Sequence, residues 1–154
     1  MTDYKLLCKQ LESLAEVSTD IMPIMANASA LLFDALSDIN WAGFYLVKDE
    51  SLLLGPFQGK VACVRIDKGK GVCGTAWEKD EVQVVPDVHA FPGHIACDSA
   101  SKSEIVIPIH QGGEVIAVLD IDSPSLNRFS EEDRDGLIEF VKTIEMINGY
   151  ESRE

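Results

Sequence analysis

Cys63, Cys73 and Cys97 are the residues best suited to chemistry, and each has a separate local reason to ionise. On a strand expected over Val61 to Ile66, Cys63 shares a face with Val61 and Arg65, and a neighbouring guanidinium favours the thiolate. Cys73 falls in the first turn of a helix expected after Gly69, Gly71 and Gly74, where the partial positive charge of the N-terminus also lowers a thiol pKa. Cys97 lies in a long loop with His89 and His94 nearby, and a loop thiol can have the exposure that disulfide exchange requires. Any one of the three alone reads as an inert buried thiol. Together they point to thiol redox chemistry. Cys8 has no such neighbour and is assigned to packing or surface. Zinc held by His89, His94 and Cys97, with Cys63 or Cys73 as a fourth ligand, is the competing reading. There is no Cys-x-x-Cys pair, and the gaps of nine and 23 residues between these cysteines match no common structural zinc spacing, so no metal is expected.

Strand alternation groups a second set of residues. Trp41, Gly43 and Tyr45 share one face of an expected strand, two rings flanking a gap suited to a flat or cationic ligand. Asp120 and Asp122 share a face with Ile116 and Val118, and two carboxylates on an otherwise apolar strand are costly unless they bind something. A three-residue turn, Gln111-Gly112-Gly113, would set Glu104 opposite Asp120 and His110 opposite Glu114. A two-residue turn, Gly112-Gly113, would set Glu104 opposite Ile121 and send it to the wrong face. The first register collects the charges and is the expectation. Three neighbouring carboxylates cannot all ionise cheaply, so at least one should hold a proton near neutral pH.

The elements that must position these groups follow from periodicity. Residues 4 to 16 and 21 to 38 carry helical patterns. Strands are expected at Trp41 to Val47, Ser51 to Phe57, Val61 to Ile66 and Val82 to Val85, with a short helix before the last ending near Asp80. Asp87 to Ser103 is a 17-residue loop, long enough to expect a functional role. A hairpin follows, Glu104 to His110 and Glu114 to Asp122. A final helix opens at Ser130, with Asp133 in a near capping box and Phe129 placed for a staple, and runs to about Ile147. This is an α+β fold over residues 1–154 as a single domain. Its central sheet is largely antiparallel, with the N- and C-terminal helices packed on one face and loops closing a small-molecule pocket on the other.

Thirteen basic against 26 acidic residues give a net charge of -13, which repels phosphate backbones and anionic lipid. Neither nucleic acid nor membrane is expected as a partner. The N-terminal residues lack a signal-peptide run, and Ile21 to Phe33 is interrupted and too short to span a bilayer, so a cytoplasmic location is expected. Gly69-x-Gly71-x-x-Gly74 matches the dinucleotide fingerprint in form. The short helix and the flanking hairpins do not supply the βαβ context that fingerprint needs, and the glycines read instead as a tight entry into the helix.

Five segments carry a resemblance. They are Gly55-Pro56-Phe57-Gln58-Gly59 with Ala62-Cys63, Gly69 to Ala76, Phe91 to Asp98, Ser103 to Val106 and Val118 to Asp122, and they closely resemble the free methionine-(R)-sulfoxide reductases, enzymes built on a GAF domain. The resemblance covers roughly residues 30 to 145. It implies reduction of the free R-sulfoxide of methionine through a cysteine sulfenic acid and an intramolecular disulfide. It also implies regeneration by thioredoxin or another dithiol and no further cofactor. Carried over residue by residue, Cys97 resembles the attacking thiol, Cys63 the main resolving thiol and Cys73 an auxiliary one, with the order of Cys97 and Cys73 left open. Trp41, Tyr45, Glu104, Asp120 and Asp122 match the family's substrate-pocket positions. A homodimer is left open. The rival expectation is a non-catalytic GAF small-molecule sensor. Sensors normally carry an output domain, for which 154 residues leave no room, and they need no activated cysteines.

Overall fold

In the computed structural model, which describes residues 1–94 and 100–151, the elements are α1 (Tyr4–Leu14), α2 (Ile21–Ala35), β1 (Trp41–Lys48), β2 (Ser51–Gly59), β3 (Arg65–Asp67), α3 (Gly71–Lys79), β4 (Gln83–Val85), a 3-10 turn (Val88–Ala90), β5 (Ser103–Gln111), β6 (Glu114–Ser123) and α4 (Glu131–Glu151). Strands of the described residues form one six-stranded sheet in the order β3-β2-β1-β6-β5-β4, every neighbouring pair antiparallel. With no parallel crossover in that sheet, the βαβ unit of a dinucleotide fold is absent from the described residues.

Two apolar layers sit on opposite faces of the sheet. On one, Leu7, Leu11, Met25, Leu32, Leu137, Phe140 and Ile144 of α1, α2 and α4 pack on Phe44, Ile105, Ile107, Leu119 and Ile121. The other gathers Trp41, Tyr45, Val106 and Val118 of the sheet under Val72, Cys73, Ala76 and Trp77 of α3. The expected layering holds, except that a helix, α3, joins the loops in closing the second face.

Helix starts are chemically defined. Asp3 and Asp20 accept hydrogen bonds from the N–H groups of Leu6 (3.0 Å) and Met22 (3.1 Å), capping α1 and α2. At α4, the Ser130 N–H donates to Asp133 (3.0 Å) and the Asp133 N–H donates to Ser130 Oγ (3.1 Å), a reciprocal capping box. Tyr4 Oη (2.6 Å) and Arg128 (2.9 Å) also donate to Asp133, tying α1 and the preceding loop to the start of α4. These bonds hold its carboxyl below the usual range, although burial pushes the other way.

Two expectations are corrected. The strand expected over Val61 to Ile66 begins only at Arg65, with Val61 and Val64 exposed, so Cys63 lies in the loop before it. Arg65 pairs with Asp67 at 3.7 Å on an exposed edge, and the alternation that made it a partner of Cys63 does not exist. The hairpin register also differs. Gln111 pairs with Glu114 and His110 with Val115 across a two-residue turn, because Gly112 and Gly113 take the positive φ values (60° and 82°) of the tight primed turn. A β-bulge then inserts Ile116, so Ile109 faces Ala117 and Glu104 faces Asp122 rather than Asp120. Ile116 and Ala117 both pack on the helix side.

Candidate active site

β1, β6 and β5 lie side by side at the centre of the sheet and bring the polar residues into one patch. Asp122 pairs with Trp41 on one side and Glu104 on the other, while Asp120 lies between Gly43 and Val106. Trp41, Tyr45, Glu104, Asp120, Asp122 and Cys73 all line one cavity between this face and α3. The register expected from sequence fails, yet the grouping it was meant to explain survives.

The aromatic wall has no gap. Trp41 stacks on Phe57 (centroids 5.1 Å apart, planes 16°) and on Tyr45 (5.9 Å, 24°). A Cβ on Gly43 would lie 2.3 Å from Phe57 Cβ and 2.9 Å from the Trp41 ring, so the glycine lets the rings close over the strand. The polar ends of the rings hold the adjacent loop. Trp41 Nε1 donates to the Lys60 carbonyl (3.1 Å), and Tyr45 Oη donates to the Cys63 carbonyl (2.9 Å). Burial, reinforced by Asp120, Cys73, Asp122 and Glu104, pushes the Tyr45 pKa up and keeps the phenol protonated for that bond. Two pocket residues thereby position a cysteine-bearing segment.

Burial dominates the electrostatics. Glu104 and Asp120 are 8% and 5% exposed. Desolvation, followed by the charges of Asp120 and Asp122, drives Glu104 well above the usual carboxylate range. Burial also raises Asp120, opposed by hydrogen bonds with Glu104, Asp122 and Cys73. The cluster therefore holds a proton near neutrality, and burial with two neighbouring carboxylates favours the protonated form of Glu104.

The same field overturns the expectation for Cys73. Its thiol is 4% exposed, and burial followed by Asp120, Glu104 and Asp122 pushes its pKa well up. The partial charge of the α3 N-terminus is too small to offset both. Cys73 is a neutral thiol. Cys63 is half-buried and disulfide-bonded, whereas Cys8 and Cys73 are the free thiols among the described residues. Cys97 lies outside the described residues.

Lys70, His94 and Ser101 also line the cavity, and sequence reasoning missed them as pocket residues. Lys70 is the N-cap residue of α3 between Gly69 and Gly71, both at positive φ. The glycine motif thus carries a helix N-terminus and a cation to the pocket, without the dinucleotide fold. A lysine between two glycines at a helix start was the available signal. Burial and the nearby His89, whose ring meets it edge-on at 6.1 Å, keep the His94 pKa down. His89 and His94 are thus neighbours in space.

Known proteins share this architecture. A GAF domain matches residues 26–147. The chain is 52% identical to the free methionine-R-sulfoxide reductase of Escherichia coli over 94% of this chain and 87% of that protein. The reduced form of fRMsr of Staphylococcus aureus superposes with a TM-score of 0.93 at 53% identity, covering 96% of each chain. The free methionine-R-sulfoxide reductase of Neisseria meningitidis, solved in complex with its substrate, superposes with a TM-score of 0.91 at 44% identity, covering 97% of this chain and 91% of that one. With its fold, pocket and sequence all in agreement, the chain belongs to the GAF-domain family of free methionine-R-sulfoxide reductases.

Proposed function

We propose that this protein reduces free methionine (R)-sulfoxide to methionine, using Cys97 as the attacking thiol and Cys63 as the resolving thiol. The observation that carries the reading is one cavity holding a buried, proton-retaining carboxylate cluster, a stacked aromatic wall and a helix N-terminus with its lysine. A zwitterionic substrate matches that distribution of charge. Its ammonium is received by Asp120 and Asp122, its carboxylate by Lys70 and the N–H groups at the start of α3, and its methyl sulfoxide end lies against Trp41.

Sulfoxide reduction needs a nucleophilic sulfur and an acid for the departing oxygen. Cys97 attacks the substrate sulfur while Glu104 gives its proton to the oxygen. The hydroxyl then passes from the substrate sulfur to Cys97 Sγ: the substrate S–O bond and the new S–S bond break, a Cys97 S–O bond forms, and methionine leaves with Cys97 as a sulfenic acid. Cys63 then condenses with it to a disulfide, releasing water. A dithiol reductant, thioredoxin in the reading from resemblance, opens the disulfide and restores both thiols. The electrons come from thiols throughout, so the cycle needs no other cofactor. The engagement of Cys63 in a disulfide while Cys8 and Cys73 remain free supports its role as the resolving thiol. Cys73 stays a neutral pocket residue. No helix of the described residues is long and apolar enough to cross a membrane. The cytoplasm, where dithiols are kept reduced, is the compartment this chemistry suits.

The test is to incubate the protein with racemic free methionine sulfoxide and a dithiol and to measure methionine. Production that stops near half of the substrate supports both the reaction and its stereospecificity. Binding without turnover would return the chain to the sensor reading, and Cys97→Ser with full activity would sink the assigned nucleophile.

A further inference from the structure

We propose that the floor of the pocket also binds a thiophilic divalent cation of the zinc class, held by Cys73, Glu104 and Asp120. These residues come from α3, β5 and β6, and one donor atom from each lies within 4.8 Å of the other two. Zinc takes thiolate sulfur at about 2.3 Å and carboxylate oxygen at about 2.0–2.2 Å, so donors around one ion stand roughly 3.5 Å apart. Small side-chain rotations close that difference. One sulfur and two oxygens suit a borderline cation; magnesium and calcium prefer oxygen alone.

A second observation points to a cation ligand rather than to acidity alone. Asp120 is 5% exposed and lines the cavity, and its Oδ1 is buried with no hydrogen-bond partner among the described residues. The bonds that Glu104, Asp122 and Cys73 make with Asp120 leave this oxygen unmet, and a buried acceptor without a donor or cation is costly. A bound dication supplies one. On binding, the S–H bond of Cys73 breaks and its proton leaves to solvent, as does any proton on Glu104. The sulfur and two oxygens each donate a lone pair, a water completes the tetrahedron, and no oxidation state changes.

The consequence for catalysis rests on the proposed reaction. Asp120, which receives the substrate ammonium, and Glu104, which gives the proton, are also metal donors, so the cation and methionine sulfoxide exclude each other. Zinc then acts as a competitive inhibitor through residues of the pocket itself.

The experiment is a cadmium titration of the full-length disulfide form, followed by the thiolate-to-cadmium charge-transfer band, with zinc binding measured by calorimetry. One cadmium per chain is expected, with the band kept in Cys8→Ser and lost in Cys73→Ser. Glu104→Gln, nearly isosteric, is expected to weaken zinc binding by more than about 10–100-fold, the cost of losing an outer-shell partner, with an unchanged circular dichroism spectrum. A band that survives Cys73→Ser, a band lost in Cys8→Ser, or zinc affinity unmoved by Glu104→Gln overturns the site. If Cys73→Ser does not fold, Glu104→Gln and Asp120→Asn decide the question. None of these readouts needs turnover. An inactive protein that binds zinc refutes only the reductase reading, and an active one that does not bind it refutes only the cation site.

Discussion

Glu104 and Asp122 face each other directly across the β5–β6 ladder, although the turn joining their strands starts them one residue out of step. The two-residue turn alone would set Glu104 against Ile121, which belongs to the helix-covered core. Ile116, the extra residue of the bulge, restores the parity and keeps all three carboxylates on the pocket face.

Deleting Ile116 should therefore leave a regular ladder with Glu104 still facing Asp122. The deletant is expected to fold and to keep its pocket, with a loss of about 1–2 kcal/mol for a half-buried apolar side chain. Deleting Leu119 instead moves Asp120 and Asp122 onto the helix-covered face and should abolish folding or activity. Urea unfolding and methionine production measure both outcomes. Equal damage from the two deletions would refute the role given to the bulge.

Glu104→Gln preserves shape and removes the acid. The expected result is a kcat lowered by about 10²–10⁴-fold with KM changed much less. Steady-state kinetics on methionine sulfoxide give the split. A retained kcat would reassign the proton donor to Asp122.

Cys73 should react slowly with iodoacetamide at neutral pH, because the thiolate is the reactive form and burial beside carboxylates suppresses it. Half-buried Cys8 is expected to alkylate faster. Peptide mapping by mass spectrometry after timed quenching compares the two. Faster labelling of Cys73 would restore the activated thiol that its place at a helix start implies.

His110 ties three elements together, with Nδ1 2.8 Å from Glu145 of α4 and Nε2 2.5 Å from Asp80 at the end of α3. Burial works against its charge, but the hydrogen bonds and charges of Asp80 and Glu145 outweigh it and raise the His110 pKa. The stabilisation is therefore fully present below the unfolded histidine value of about 6.5 and is lost as pH rises through the higher folded value. The ring is 37% exposed, so solvent screening limits the effect to roughly 0.5–1 kcal/mol. His110→Gln should be less stable than the parent near pH 6, and the gap should narrow as pH rises through the higher folded value. A gap independent of pH in urea unfolding would exclude the charged tie.

Much of this protein was legible without coordinates. The α1 stripe through Leu7 and Leu11, the Ser130–Asp133 capping box, and the common face of Trp41 and Tyr45 all follow from backbone periods of 3.6 and 2, which a sequence carries locally. Alternation likewise placed Asp120 and Asp122 together, and the resemblance in motifs named the family. What only the tertiary structure decided are quantities that belong to no single segment. The bulge at Ile116 is a compromise between a glycine turn and a buried face, and no pattern of residue types shows it. The state of Cys73 is the clearest case. Its sequence neighbours, a glycine loop and a helix start, favour the thiolate. Folding brings Glu104 and Asp120 from β5 and β6 against it and removes water, and a dry, negative surrounding outweighs the partial charge of one helix end. Periodicity is local and survives in the sequence, whereas dielectric and field are summed over distant residues and exist only once the chain has folded.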